Sequence, residues 1–329
     1  MRFLNVIMCV CAGVVLTSCK QAAKASDLET SAAQPLLSAD VAIIGERAVE
    51  FQDILSQYQS INQRLERVAS KLQNANVDLC PAIKRDVGFS VHTLKDYPEE
   101  LRLVARSLLN VDEGLSIRTV RKGSTAQTQG LLPGDRLVSI NQQRLVSGAT
   151  QLYFYDRVSS KAFKDGEVNV TIVRDSALKT VTLDPQDYCD YPAHVIFDEE
   201  ANAHTDGQSI WVTSQLMRNV DNDDHLSLIV AHEMAHAIAM HPLDMDRQSI
   251  ELEADKMALI MLARAGLDID AASEFWTVMS HPHHDLQDRS ESHPSIAQRD
   301  ENLRPLLQRI KKAQSQGRVL DFTLMDAAN

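Results

Sequence analysis

The sequence predicts an α+β protein in two folded parts: a small β-rich module ahead of a mainly helical domain with its own small β-sheet. Three observations predict it. Short apolar runs bounded by Gly and Pro fill the middle of the chain, as at 115–120 and 137–140, and their alternation is that of half-buried strands. From about residue 221 the spacing becomes helical, with Leu226, Ile229, Val230, Met234, Ala237 and Ile238 in one run. The chain has 329 residues, 44% of them hydrophobic, enough for two separate cores.

The N-terminus sets the expected compartment. Met1-Arg2 is a short positive start, and Phe3 to Leu16 is apolar apart from Asn5, which is too short to span a bilayer and reads as a secretory signal. Leu16-Thr17-Ser18-Cys19 resembles the lipobox of bacterial lipoproteins. The resemblance implies a signal peptide over 1–18, a lipid on Cys19, and attachment to a membrane of the cell envelope. Under its sorting rule, Lys20 in place of Asp directs the protein to the outer membrane. The alternatives are an ordinary cleaved signal or an uncleaved anchor. Residues 19–40, rich in Ala, Ser, Gln and Lys, read as a tether. After residue 19 no apolar run reaches transmembrane length, so acyl chains would do the anchoring. A formal charge of −12 argues against a nucleic-acid or anionic-lipid surface.

Of the five cysteines, Cys9 and Cys11 leave with the signal and Cys19 takes lipid. Cys80 and Cys189 remain, an even pair in an oxidising compartment. A disulfide between them is the economical reading and would clasp the two ends of the segment 81–188. Two separate buried thiols are the alternative, because sequence alone does not fix connectivity.

Val41, Ile44, Ile54, Tyr58, Ile61, Leu65, Val68 and Leu72 recur at helical spacing, which predicts an N-terminal helical segment over 41–80. A further helical stretch is expected at 98–109. Residues 86–185 read as an independent module. Leu115 to Val120 alternates as a strand. Gly123-Ser124-Thr125-Ala126 leads into a short helix that Gly130 can end in a left-handed conformation. Pro133-Gly134 makes a turn, Leu137-Val138-Ser139-Ile140 starts a strand, and a helix at about 149–162 precedes a strand at Val168–Val173. The run Gly130-Leu131-Leu132-Pro133-Gly134-Asp135-Arg136-Leu137-Val138-Ser139-Ile140-Asn141 resembles the PDZ domains of bacterial envelope proteases. The resemblance implies a peptide-binding module, with Val87-Gly88-Phe89-Ser90 as a candidate binding loop. A structural β domain with no ligand groove is the alternative.

The second part runs over 189–315. Val195-Ile196-Phe197 predicts a short strand, 202–207 a polar turn, and 208–213 a strand whose edge is free to pair with an extended substrate. Asn222 and its acidic neighbours are N-cap candidates for the helix through Leu226 to Ile238. A second helix spans roughly 248–265 and stops at Gly266, a third covers about 270–280, a His- and Pro-rich loop fills 281–294, and a last helix runs from Ser295 to about Ser315. Residues 316–329 read as a C-terminal tail.

The chemistry lies in His232-Glu233-Met234-Ala235-His236. Residues i and i+4 of a helix share a face, so both imidazoles can reach one metal ion. Glu233 is placed to take a proton from a metal-bound water. Zinc suits nitrogen and carboxylate ligands with one position left open. Glu251, in Glu251-Leu252-Glu253-Ala254-Asp255 on the next helix, is the candidate third ligand. Asp255, one turn on, is placed to orient a ligand histidine, and Glu253 reads as a solvated charge.

Together with Asn202-Ala203, Gly207 to Thr213 and His293-Pro294-Ser295 leading to Arg299, these motifs resemble the zinc peptidase family that includes HtpX, BepA, LoiP and the CAAX prenyl proteases. The resemblance covers roughly 190–305. It implies a mainly helical gluzincin-type domain, one zinc ion held by His232, His236 and Glu251, and Glu233 as general base. The membrane-spanning helices of HtpX are absent, which points to a soluble envelope form. His293 and Arg299 are candidates for stabilising the oxyanion. Arg299 could equally form an ion pair with Asp255 or Glu253, and His293 could instead close the open zinc position and hold the enzyme latent. The expected function is envelope quality control, with misfolded periplasmic or outer-membrane polypeptides as substrates. A chaperone or assembly factor that keeps the zinc for structure, and a zinc hydrolase acting on another bond, are the alternatives.

Overall fold

The computed structural model describes residues 38–240, 246–271, 275 and 294–326. The lipobox with Cys19, nearly all of the tether, His293 and the 281–284 histidines lie outside the described residues. Two compact units divide the chain, 1–44 and 45–329. Among the described residues, the second unit holds every strand and all of the helices except the first turns of the N-terminal one.

The first helix, α1 (Ser38–Ala75), carries Leu65, Val68, Ala69 and Leu72 at the i, i+3, i+4, i+7 spacing of a single apolar stripe. All four are buried in the core of the helical domain. Leu55, earlier on the same helix, is buried in a separate cluster with Leu94, Tyr97, Ala105 and Val111. Asn76 ends the helix, its side-chain amide donating to the carbonyls of Leu72 at 2.8 Å and Met261 at 3.2 Å. One helix therefore contributes to both parts of the protein.

The β-rich module is then built from β1 (Ile83–Asp86), β2 (Phe89–His92), α2 (Arg102–Leu109), β3 (Ser116–Val120), α3 (Thr125–Thr128), β4 (Arg136–Ile140), β5 (Gln143–Arg144), α4 (Gln151–Asp165), β6 (Val168–Arg174), β7 (Ala177–Leu183) and β8 (Gln186–Cys189). Its antiparallel sheet runs β2-β3-β4-β6-β7, with β5 folded back on β4. Inward residues such as Ile117, Ile140, Val168, Val170, Ile172 and Leu183 are almost wholly buried and alternate along their strands as a pleat requires. Gly88 has φ +91°, and a Cβ there would collide with the Ser124 side chain, so the tight entry to β2 requires glycine.

Strands β1 and β8 form a separate ribbon that closes the base of the module, with Ile83 opposite Cys189. A disulfide joins Cys80 to Cys189, their Cα atoms 5.6 Å apart across a separation of 109 residues. A crosslink closing so long a loop restricts the unfolded chain strongly, though how much of the gain is entropic depends on the model. Replacing both cysteines with serine is expected to lower stability by about 2–5 kcal/mol, read as a shift in the urea midpoint.

A polar contact ties α1 to the module. Gln59 Nε2 donates to the Tyr97 hydroxyl at 2.9 Å, and that hydroxyl lies 2.7 Å from His92 Nδ1. Having accepted from Gln59, Tyr97 is free to donate to a neutral His92. Burial, with Arg118 adding to it, pushes the His92 pKa down from 6.5 to about 4. Because the folded state resists the proton that the unfolded chain accepts, this stability is intact above pH 6.5 and is lost as pH falls toward 4. The loss amounts to about 3 kcal/mol at the lower end. Urea titrations between pH 7 and 4 check this, and His92→Gln is expected to flatten the dependence.

The second part starts with β9 (Ala193–Ile196), β10 (Ala203–Thr205) and β11 (Ile210–Thr213), followed by α5 (Ser214–Asn219), α6 (Asp223–Ala239), α7 (Arg247–Arg264) and, after residues not described, α8 (Ile296–Ser315). The sheet order is β10-β11-β9. β11 is antiparallel to β10 and parallel to β9, so the strand expected to offer a free edge is the central one. Among the described residues, the unpaired edge beside the central helices belongs to β10, the segment read from sequence as a polar turn. Pairing with β11 makes it a strand (Ala203 opposite Val212), an effect that local composition does not carry.

Helices α6 and α7 pack along each other, and α8 lies against α7. Leu226, Ile229, Val230, Met234, Ala235 and Ile238 of α6 are all buried, as befits a helix enclosed on most sides. Asn222 caps α6 by accepting from the Asp224 amide at 2.7 Å, and Ser295 starts α8 with a capping box through Gln298. Residues beyond 315 pack back on the domain: Leu320 and Leu324 are buried, and Arg309 donates to the carbonyls of Leu324 and Met325.

Candidate metal centre

The centre is assembled from α6, α7 and α8. His232 and His236 are one turn apart on α6, so their rings project from one face. Their Nε2 atoms are 3.1 Å apart. Glu251, near the start of α7, brings Oε2 to 3.3 Å from His232 Nε2 and Oε1 to 3.3 Å from His236 Nε2. His232 is buried, while His236 and Glu251 are partly exposed, so the cluster has a wet side. Glu233, beside His232 on α6, is also partly exposed.

Asp255 is fully buried one turn after Glu251, with Oδ1 2.9 Å from His232 Nδ1. That contact leaves Nε2 to face the other donors. Arg299 of α8 donates through Nη1 to both Asp255 oxygens at 2.6 Å and through Nη2 to Glu251 Oε2 at 3.1 Å. Of the two roles left open for Arg299, the structure gives the ion pair, with Asp255 as one partner and Glu251 in place of Glu253 as the other. Sequence reading missed the Arg299–Glu251 contact. The one available signal was the placement of an arginine one turn into the helix after His293-Pro294-Ser295, which does not say which acid it reaches.

Burial opposes charge on both His232 and Glu251. Hydrogen bonds that His232 donates to Asp255 and Glu251 nevertheless hold its pKa well above the ordinary histidine range, and the two histidines hold the Glu251 carboxyl well below the usual carboxylate range. The cluster thus favours an added positive charge.

The donor set fits zinc. His232, His236 and Glu251 each offer one ligand atom, all within 4.8 Å of one another. Four donors about 2.0–2.1 Å from a tetrahedral zinc stand about 3.3–3.4 Å apart, close to the 3.1–3.3 Å measured between these three. Two histidines and a carboxylate with a fourth position open is the donor set of catalytic rather than structural zinc.

Two nitrogens and a carboxylate converging from paired helices, backed by a buried acid and an arginine, define a metallopeptidase-type centre. Comparison with known families agrees: residues 171–250 match peptidase family M48, and residues 77–151 match the PDZ domain family. The stretch that resembles the M48 metallopeptidases thus follows one that resembles PDZ domains. Strand β6 pairs with β4 and β7 with β6, which completes the PDZ sheet to Leu183, although the M48 match already begins at 171. No curated protein matches the chain. Among solved structures, the HtrA-type protease AlgW with a decapeptide is similar at 20% identity and TM-score 0.24, over 31% of this chain and 29% of its own. The HtrA3 PDZ domain bound to a phage-derived ligand is similar at 20% identity and TM-score 0.25, over 32% of this chain and 88% of its own.

Proposed function

We propose that the chain is a zinc-dependent endopeptidase, held in the cell envelope by lipid on Cys19 and acting on misfolded or misassembled envelope polypeptides. The observation that carries the reading is the convergence of His232, His236 and Glu251 donor atoms with Glu233 beside them. These three residues would hold the zinc, which when bound supplies a Lewis acid and lowers the pKa of a water to about 7. The remaining work falls to the chain's own residues. Asp255 keeps His232 in the tautomer that presents Nε2. Arg299 holds Glu251 and Asp255 in one arrangement. Glu233 takes the proton of the attacking water and passes it to the leaving amine. The free edge of β10, alongside α6, offers backbone groups for an extended substrate to pair with. The PDZ domain offers a second place for peptide to bind, consistent with a polypeptide substrate.

The test is cleavage of an unfolded model protein by the zinc-loaded chain, by the chelator-stripped chain, and by Glu233→Gln. Cleavage that needs both zinc and Glu233 supports the reading. Equal cleavage by all three overturns it, and so does zinc binding without any cleavage, which would favour a chaperone or assembly factor.

A further inference from the structure

Phe197 follows directly on β9 and is 71% exposed. Its ring is nevertheless held in place. It stacks on Tyr58 of α1, with centroids 5.2 Å apart and planes inclined by 22°. The Arg118 guanidinium lies over the same Tyr58 ring, 5.4 Å from its centroid. Ile54, one turn before Tyr58 on the same face of α1, is 43% exposed. Ile54, Tyr58 and Phe197 thus form one outward apolar patch. A ring fixed in position yet left in water contributes little to folding, whereas an apolar patch with a polar rim marks an interaction surface.

The strand register places this patch beside the β10 edge. Ile196 of β9 lies opposite Thr213 of β11, and Ala203 of β10 lies opposite Val212. The end of β9 and the start of β10 therefore flank the same end of β11, two strand spacings or about 10 Å apart. Residues 198–202 bridge that gap in a fixed shape. The Asp198 carbonyl accepts from Ser214 Oγ at 3.1 Å, its carboxylate accepts from the Glu200 amide at 2.9 Å, and the Thr213 amide donates to the Asn202 carbonyl at 2.9 Å. Glu199 and Glu200 on this bridge are exposed and form no ion pair among the described residues. Glu50, one turn before Ile54 on α1, is a third exposed carboxylate on the rim. From 184 to 217 the chain carries acids but no lysine or arginine, so the rim is negative. Such a rim opposes an anionic membrane surface and favours a cationic partner.

We propose that this patch is a docking ledge for substrate, in which Phe197 and its α1 neighbours take a large apolar side chain and Glu199 and Glu200 take lysine or arginine beside it. The inference rests on the reading of β10 as the substrate edge and adds the class of segment that the edge receives. An extended chain advances about 3.3–3.6 Å per residue, so about three residues carry a segment from the start of β10 to Phe197. The ledge therefore selects a basic, apolar stretch flanking the part of the substrate that pairs with β10. Its contribution is to binding and not to the chemical step: peptide affinity tests the ledge, and cleavage tests the peptidase reading.

The experiment uses the full chain in detergent, carrying Glu233→Gln so that peptide is not consumed, with protein-free micelles as the blank. The probes are fluorescein-labelled Ser-Ala peptides, amidated at the C-terminus, with a Lys-Phe-Lys, Lys-Ser-Lys or Glu-Phe-Glu insert, read by anisotropy. The Lys-Phe-Lys peptide is expected to bind about tenfold tighter than either of the others. Phe197→Ala is expected to remove about tenfold of its affinity and Phe197→Tyr to keep it. Glu199→Gln with Glu200→Gln is expected to remove about threefold or more at low salt, an effect that fades near about 1 M salt while that of Phe197→Ala persists. Asp198 is left intact because it shapes the bridge. All these variants should keep the parent Tm, since the side chains changed are exposed. Equal binding of the three peptides, binding of none, or unchanged binding in Phe197→Ala or in the glutamate pair variant would overturn the ledge. A lowered Tm in Phe197→Ala would also overturn it, showing the ring packed under another segment of this chain. So would self-association, seen by light scattering, that Phe197→Ala abolishes while the peptides bind alike, which would mark a contact between copies.

Discussion

Glu233→Gln is expected to lower kcat for cleavage of an unfolded protein by about 10²–10⁴-fold, the usual contribution of a positioned general base. The substitution keeps the size of a partly exposed side chain on α6 and removes its ability to take a proton. Because His232, His236 and Glu251 supply the converging donors, zinc content and Tm should match the parent. A kcat loss with KM unchanged is the signature of an interaction made in the transition state. Stopped assays alongside metal analysis measure both, and loss of zinc in the variant would assign Glu233 to metal binding instead.

Arg299→Met should be the most damaging change away from the donor atoms. Arg299 and Asp255 are both buried and paired at 2.6 Å. Removing the cation strands a carboxylate that has no access to water, at a cost of about 3–5 kcal/mol. It also frees Glu251 on one side and loosens the acid that orients His232, and outer residues of this kind shift metal affinity about 10–100-fold. Adding Asp255→Asn removes the stranded charge, so the double variant should recover stability while zinc binding stays weak. Urea unfolding in chelator and zinc competition titration read the two effects separately. Strong non-additivity in the first and little in the second is the expected cycle.

The metal-binding half of the fold is the more legible in sequence. The apolar run and acidic cap of α6, the break at Gly266 that ends α7, and the Ser295 cap of α8 are local signals. The i, i+4 spacing of His232 and His236 carries geometry directly. What sequence does not carry depends on residues far apart. β1 is Ile83-Lys84-Arg85-Asp86, too polar to stand out, and becomes a strand by pairing with residues 186–189. β10 is three residues long, and the hydrogen bonds from Gln208 and Ser209 amides to Asp206 are real turn chemistry next to it. Local composition therefore puts the free edge at β11, which the structure places in the middle of its sheet. Arg299 has three acids in plausible reach, and the crossing of α8 over α7 decides among them.

The long first helix also sets an order of events during synthesis. Arg64 pairs with Asp223, 159 residues further on, and Asn76 bonds to Met261, 185 residues further on. Leu65, Val68 and Leu72 therefore emerge early and have no core to enter until the final third of the chain exists. The PDZ sheet, made largely of neighbouring hairpins, can form in that interval. Closure of the large loop comes last, where contacts of high sequence separation are slow to form, and for that time the apolar stripe of α1 is a surface that aggregation or a holding chaperone can claim. Closure of these distant contacts, rather than local helix formation, then sets when the metal site first comes together.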